Sequence, residues 1–498
     1  MLRTGEGKRD GSSAMLTRRA AIVGLGASLA APALLSLPRR PAAKPLLTPP
    51  TVSTPPAIHD VTLEAKARRL KLLGKDGPES TLWTYGDALF PILRLKRGDR
   101  LRATLKNSLT EHTSIHWHGV RVPNDMDGVQ YVTQKPVEPG ESFTYDFTLP
   151  DTGTFFFHPH CNETGQVGHG LLGVVIVAGD ESETFDDEVV IIAKDWRLAE
   201  DGSFLPFSTD SGAARAGTFG TLRTANGAKS FTRKVPAAAD LRLRLLNLDA
   251  TRMMDVGVEG AEARIIAIDG NPVEAMPLDT WRMGAASRLD LVLRTPKAGG
   301  KVRLRDYFPA EIFDLAELEA EGPDRRAGPF DPAPLYASQV PEPDLARAEA
   351  QSFVFGAASD AIASFIDTLD PDDPLTKVIL DDLCTASRTF WAINKRSWPN
   401  DGHRNLPPPL ARLKPGESYR FTLQNATPHP HPIHLHGHTF KVLGSSKRKL
   451  PVHYADTVLV LPKERIEIAF VAAAGKWMFH CHILEHLETG MMGYFANA

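Results

Sequence analysis

Leu95-Lys-Arg-Gly-Asp-Arg-Leu-Arg-Ala-Thr-Leu-Lys-Asn107 returns, altered but legible, as Leu413-Lys-Pro-Gly-Glu-Ser-Tyr-Arg-Phe-Thr-Leu-Gln-Asn425. In both, a glycine turn opens onto alternating apolar and polar residues, the period-two pattern of a half-buried strand. A weaker third copy runs from Val235 to Asn247, where Leu241-Arg-Leu-Arg-Leu245 alternates strictly. Solenoid repeats recur every 20–50 residues or so. These copies lie farther apart, at domain spacing. Around them short alternating runs and turn residues dominate, and few segments beyond the N-terminus hold a helical period. The predicted fold class is all-β: three consecutive β-sandwich units at 57–180, 187–325 and 345–498. Acidic Gly179 to Glu188 and Pro/Gly-rich Glu321 to Pro343 are the expected linkers.

With 498 residues, 42% hydrophobic and 23% charged, the composition is that of a globular chain of about three domains, not of a disordered, collagenous or multi-span membrane protein. A net charge of -3 provides no basic field, which argues against a nucleic-acid partner. The three cysteines, Cys161, Cys384 and Cys481, are too few for a disulfide scaffold. Two readings stay open for Cys161 and Cys384: a disulfide in an oxidising compartment, or two separate buried thiols.

Thr17-Arg18-Arg19 precedes an apolar run from Ala20 to Leu37, then Arg39, Arg40 and a Pro-rich stretch to Pro56. That order reads as an export signal and linker over residues 1–55, with Met15 as a second candidate start. The arginine pair resembles a twin-arginine signal, which exports folded proteins. A retained membrane anchor is the competing reading, disfavoured by Gly24, Gly26 and Pro32 within the run. The folded part is expected to work in the periplasm, with no stable membrane insertion once the signal is removed.

The chain has 17 histidines, and their places repeat. His116-Trp-His118-Gly119 lies eighteen residues after Gly98, and His434-Leu-His436-Gly437 eighteen after Gly416. Gly153 precedes His158-Pro-His160 by five residues, and Gly475 precedes His480-Cys-His482 by five. Residues i and i+2 of a strand share a face, so each pair can present two imidazoles to one point. Eight imidazoles from the outer units can hold several transition-metal ions. The middle unit contributes none, because no histidine occurs between His169 and His403.

Unit three carries further ligand types. Cys481 lies between His480 and His482, so its sulfur is expected on the opposite face, bonded through the chain to both imidazoles. His431, His486 and Met491 complete a Cys/His/His set with a weak thioether, which suits blue copper. Met492 is adjacent and competes with Met491 for that place.

At these residues the chain resembles the multicopper oxidases, the family of laccases and bacterial cuprous oxidases. The motifs are His116-Trp-His-Gly119, His158-Pro-His160, His431-Pro-Ile-His-Leu-His-Gly437 and His480-Cys-His-Ile-Leu-Glu-His486. The resemblance implies three cupredoxin-like Greek-key sandwiches and four coppers per chain. His431, Cys481, His486 and Met491 would hold the type 1 copper, and His116 and His434 the type 2 copper. His118, His158, His160, His436, His480 and His482 would hold the type 3 pair. It also implies an oxidoreductase that takes single electrons at the type 1 site, with Cys481 on the electron path, and reduces dioxygen to water at the trinuclear site. Asp127, eleven residues after His116, occupies the place of an acid that relays protons or orients cluster water; its other reading is an Asp-Gly turn residue. Leu487 departs from many bacterial relatives, which carry Glu there.

Only ten methionines occur, grouped no more closely than in the adjacent pairs Met253-Met254 and Met491-Met492. A laccase-like oxidase of phenols or aromatic amines is therefore set slightly ahead of a dedicated cuprous oxidase for copper tolerance. A copper nitrite reductase needs only a mononuclear catalytic site, and a non-catalytic copper-binding scaffold would lose ligands. Both fit the four histidine pairs poorly.

Overall fold

The computed structural model describes residues 56–179, 181, 184–358, 389–399 and 402–497. The expected export signal and Cys384 lie outside them. Six sheets pair into three sandwiches. The first sandwich faces the sheet Ser80–Tyr85, Ile58–Leu70, Arg100–Asn107, Ser142–Thr148 against Ile92–Lys96, Gly173–Ala178, Gly153–His158, His116–His118. The second and third each set a six-stranded sheet against a five-stranded one, within Asp187–Glu321 and Glu349–Asn497. Each encloses its own buried apolar cluster, around Trp117, Leu243 and Phe421 respectively.

The repeated stretch is the same strand in all three. Arg100–Asn107, Asp240–Asn247 and Ser418–Asn425 each pair in parallel with the first long strand of their unit. The asparagine that closes each copy has a structural task. Asn107, Asn247 and Asn425 each donate from Nδ2 to two main-chain carbonyls, while Oδ1 accepts the N–H two residues on. The turn that follows is thereby pinned, as Asn side chains do when they replace a backbone partner.

Among the described residues no helix is long and apolar enough to cross a membrane. The Pro/Gly-rich stretch before unit three is tied down: Tyr336 is buried, and its hydroxyl donates to the carbonyls of Thr152 and Gly270.

Candidate metal centre

The histidine pairs meet because the two outer sandwiches use equivalent strands in equivalent register. His116 stands directly across from His158, and His434 directly across from His480. All eight imidazoles of the four pairs are buried. His116 and His436 stack at 3.8 Å between ring centroids, as do His118 and His434, so each outer unit inserts rings between those of the other.

Which nitrogen each ring offers follows from what holds the other. His116 Nδ1–H donates to the Asp127 carbonyl, His158 Nδ1–H to Pro159 O, His434 Nδ1–H to Asp456 O and His480 Nδ1–H to Cys481 O. His436 Nδ1–H donates to Asp127 Oδ2 at 2.9 Å, and His160 Nδ1 lies 2.9 Å from Glu163 Oε1. These six rings aim Nε2 at the common space. His118 is reversed: its Nε2–H faces Asp456 Oδ1 at 3.0 Å and Thr457 Oγ1 at 3.1 Å, so it presents Nδ1. The presented nitrogens of His116, His118, His158, His160, His434 and His482 have no hydrogen-bond partner among the described residues. His436 Nε2 and His480 Nε2 face each other at 3.0 Å with both Nδ1–H groups engaged elsewhere. Two lone pairs turned toward each other repel. A bound cation resolves that, and also the cost of buried unpartnered nitrogens.

The second cluster repeats the logic. His431 Nε2–H donates to Thr427 Oγ1 at 2.8 Å, and His486 Nε2–H to the Arg215 carbonyl at 2.6 Å. Their Nδ1 lone pairs then face each other at 3.1 Å, each 3.6 Å from Cys481 Sγ. The sulfur also accepts the Ile483 N–H. Cys481 stands opposite Ile433 and points into the core of unit three, away from the imidazoles beside it in sequence. Met491 packs in that same core, whereas Met492 packs with Leu487, Met478 and Trp398 on the other side. Strand alternation thus separates the two methionines.

Burial, reinforced by neighbouring imidazoles, holds His118, His158, His431, His434, His436 and His482 well below the ordinary histidine range. It pushes His160 and His486 to about 3 and His480 to about 4. The rings are neutral ligands at physiological pH, so protons do not compete for them. Burial also raises the Cys481 thiol, so a thiolate there needs a cation at the sulfur. The donor sets fit metal: His431, Cys481 and His486 converge, as do His160, His436 and His480, and His116, His434 and His436.

Profiles described as multicopper oxidase match residues 67–182, 187–306 and 374–498. The crystal structure of a multi-copper oxidase from Pseudomonas thermotolerans superposes with a TM-score of 0.78 at 38% identity, covering 89% of this chain and 100% of that one. The chain belongs to the multicopper oxidases. Multicopper oxidase MmcO of Mycobacterium tuberculosis is 29% identical over 461 residues, 86% of this chain and 85% of that protein. A laccase of Cryphonectria parasitica is 26% identical over 479 residues, 85% and 79% of the two chains. As a multicopper oxidase the protein is an oxidoreductase with cupredoxin-like domains. It passes electrons from a reducing substrate to dioxygen and takes one type 1, one type 2 and two type 3 coppers.

Several residues around the centre of this multicopper oxidase escaped the sequence reading. Thr427 orients His431, and Glu163 faces His160. Asp456 and Thr457 brace His118 and His434, and Arg288 of the middle unit clasps Asp456. Two signals were there to be used. Glu163 is three residues past His160, and Thr427 is two past the repeat asparagine. His438 is a support, since Nδ1–H donates to His436 O and Nε2 accepts the Ala473 N–H. Cys161 is buried with Ser114 Oγ 3.5 Å from its sulfur.

Proposed function

We propose that His431, Cys481 and His486, together with Met491, would hold the type 1 copper, and that His116 and His434 would hold type 2. His118, His158 and His482 take one type 3 ion, and His160, His436 and His480 the other. The observation that carries this reading is the set of buried lone pairs turned inward, with the opposite N–H held on His116, His118, His158, His431, His434, His436, His480 and His486. The coppers, when bound, accept single electrons and deliver them to dioxygen. The chain does the rest. Cys481 links the two sites through its bonds to His480 and His482. Asp127 fixes His116 through its carbonyl and His436 through its carboxylate, one ligand from each outer unit, which makes orientation its part. Leu487, packed among apolar neighbours, moves no proton.

The reducing substrates are small one-electron donors, phenols or aromatic amines, as the laccase among the relatives suggests. Cuprous ion is the second reading, favoured by one observation: His486 is fully covered, its outer nitrogen capped by the Arg215 carbonyl, so a bulky donor has no direct contact with it. The twin-arginine-like signal supports a periplasmic site of action. Copper analysis with absorption and EPR spectra tests the assignment. About four coppers, a blue thiolate band and an EPR-silent pair are expected. About two coppers without that pair would overturn it. Rates on Cu(I) and on phenols of increasing size decide between the substrates: a steep fall with size and fast Cu(I) turnover would displace the phenol reading.

A further inference from the structure

Dioxygen becomes water only if four protons arrive with four electrons. Asp127 and Glu163 already hold ligand imidazoles, and position 487 is apolar. One buried carboxyl beside the site accepts no hydrogen bond among the described residues and has a single, long ion pair. Asp249, in the middle unit, lies two residues after the repeat asparagine, whose Oδ1 accepts its N–H. At the corresponding place in unit three, Thr427 braces a type 1 ligand. Asp249 is 2% exposed, and neither carboxylate oxygen has a hydrogen-bond partner among the described residues. Its nearest cation, Arg223, is 3.8 Å away and pairs at 2.8 Å with Asp306 instead.

A small cavity joins Asp249 to His158 and His482, with Phe156, Leu248 and Leu484 among its walls. At about 10 Å³ it is close to the space of a single water, and Asp249, His158 and His482 are its polar walls. Ala250, the next residue, lines this cavity and also a second one bounded by Lys194, Asp195, Thr251, Thr218 and Glu485, toward half-buried Arg197 and Phe207. The two cavities thus lie on either side of Ala250, the inner one reaching the histidines and the outer one lined by Lys194, Asp195, Thr218 and Glu485.

We propose that Asp249 is the carboxyl group through which protons reach the dioxygen-reducing site, by way of the cavity it shares with His158 and His482. The Asp249 O–H passes its proton to the water in that cavity, which releases one of its own toward the site. The carboxylate regains a proton from solvent through the second cavity, so Asp249 ends each transfer unchanged. Four such transfers match the four electrons delivered through Cys481. Charge around the group suits the task. Burial first, then Asp195, raises its pKa to about 6, while Arg223, Lys194 and Arg252 hold it from rising further. Glu485 in the second cavity and neutral His158 and His482 across the first complete its surroundings.

The proposal rests on His158 and His482 belonging to the type 3 pair. Asp249→Asn and Asp249→Glu test it. In each, copper content, the blue band, anaerobic reduction of the type 1 site by hydroquinone, and single-turnover reoxidation by dioxygen are followed from pH 5 to pH 9. The acid form donates, so wild-type reoxidation falls as pH rises through about 6. Asp249→Asn should reoxidise about tenfold more slowly at pH 5, lose that inflection, and keep four coppers and normal type 1 reduction. Asp249→Glu should restore the inflection. In copper-free protein, infrared spectra should show a carboxylic-acid band that titrates near pH 6 and is missing from Asp249→Asn. Unchanged reoxidation in Asp249→Asn, a retained inflection, equal slowing of type 1 reduction, or lost copper would each overturn the role. Fewer than four coppers in the wild type would overturn the ligand assignment beneath it, and that result is read separately.

Discussion

Arg288 of the middle unit clasps Asp456 of the third, Nη1 to Oδ1 at 2.8 Å with Nη2 on Oδ2, and both side chains are buried. Asp456 then faces His118 of the first unit, and its main-chain carbonyl holds His434. One ion pair thus ties three units together at the metal centre, and the unit without ligands supplies its cation. Gly119, at φ 82°, leaves the room for it: a Cβ there would stand 2.4 Å from both Arg288 Nη2 and Asp456 Oδ2. Breaking a buried pair from one side leaves an uncompensated charge, at a cost of about 3–5 kcal/mol. Arg288→Leu should lower thermal stability accordingly and reduce copper content below four while the blue band survives. A full copper complement in that variant would reduce the pair to a structural staple.

The two adjacent methionines should separate cleanly by experiment. Met491 shares the buried cluster with Cys481, and Met492 does not. Leu replaces Met at little cost in packing, under about 1.5 kcal/mol. Met491→Leu should keep a blue site and raise its reduction potential, because a donor that favours the oxidised ion has gone. Met492→Leu should leave the potential unchanged. The reverse pattern would make Met492 the axial residue.

Much of this was legible beforehand because it rests on strand periodicity. Alternation alone put Cys481 on the face opposite its flanking histidines, and equal spacing from Gly98 and Gly416 foretold that His116 and His434 would take equivalent places. What stayed hidden depends on where distant parts of the chain meet. Arg288 and Asp456 are ordinary charged residues until three sandwiches close around them. The cap on His486 is the main-chain carbonyl of Arg215, which no side-chain motif encodes. Asp249 follows a repeat asparagine, but its significance comes from an open cavity, and sequence carries no direct record of empty space.

Acid should unfold the copper-free protein well before it unfolds most β-sandwiches. Burial lowers His160 and His486 to about 3 and His480 to about 4, from an unfolded value of 6.5. Their contribution is complete above pH 6.5 and is lost as pH falls toward those values, because the unfolded chain then binds protons that the native rings refuse. Each histidine costs about 1.4 kcal/mol per pH unit across that window. Buried Asp269, raised to about 7, acts in the opposite sense and loses its contribution as pH climbs through 7. Stability of the copper-free chain should peak near neutrality and fall steeply toward pH 5, with copper removing most of the acid limb. A melting temperature that stays flat from pH 7.5 to pH 5 would contradict the burial of these rings.

Access to the proposed type 1 site is held by one carboxylate. Glu485 accepts the main-chain N–H groups of Thr209 and Thr218 and the Thr218 hydroxyl, clamping the middle-unit segment between them. That segment caps His486 through Arg215 O and meets Trp391 Nε1–H through Ala213 O. Hydrogen bonds to a charged group contribute about 1.5–3 kcal/mol each, so Glu485→Ala should loosen the segment while Ala213 and Ala214 keep it docked at the edge of the unit-three core. Bulky phenols would then approach the imidazole edge, and their kcat/KM should rise severalfold, while Cu(I) oxidation, already small enough to be served, changes less than about twofold. Hydrogen exchange across residues 209–218 reports whether the clamp has opened. Faster exchange there with no gain on bulky phenols would show that electrons enter elsewhere, and the covered edge of His486 would no longer explain substrate choice.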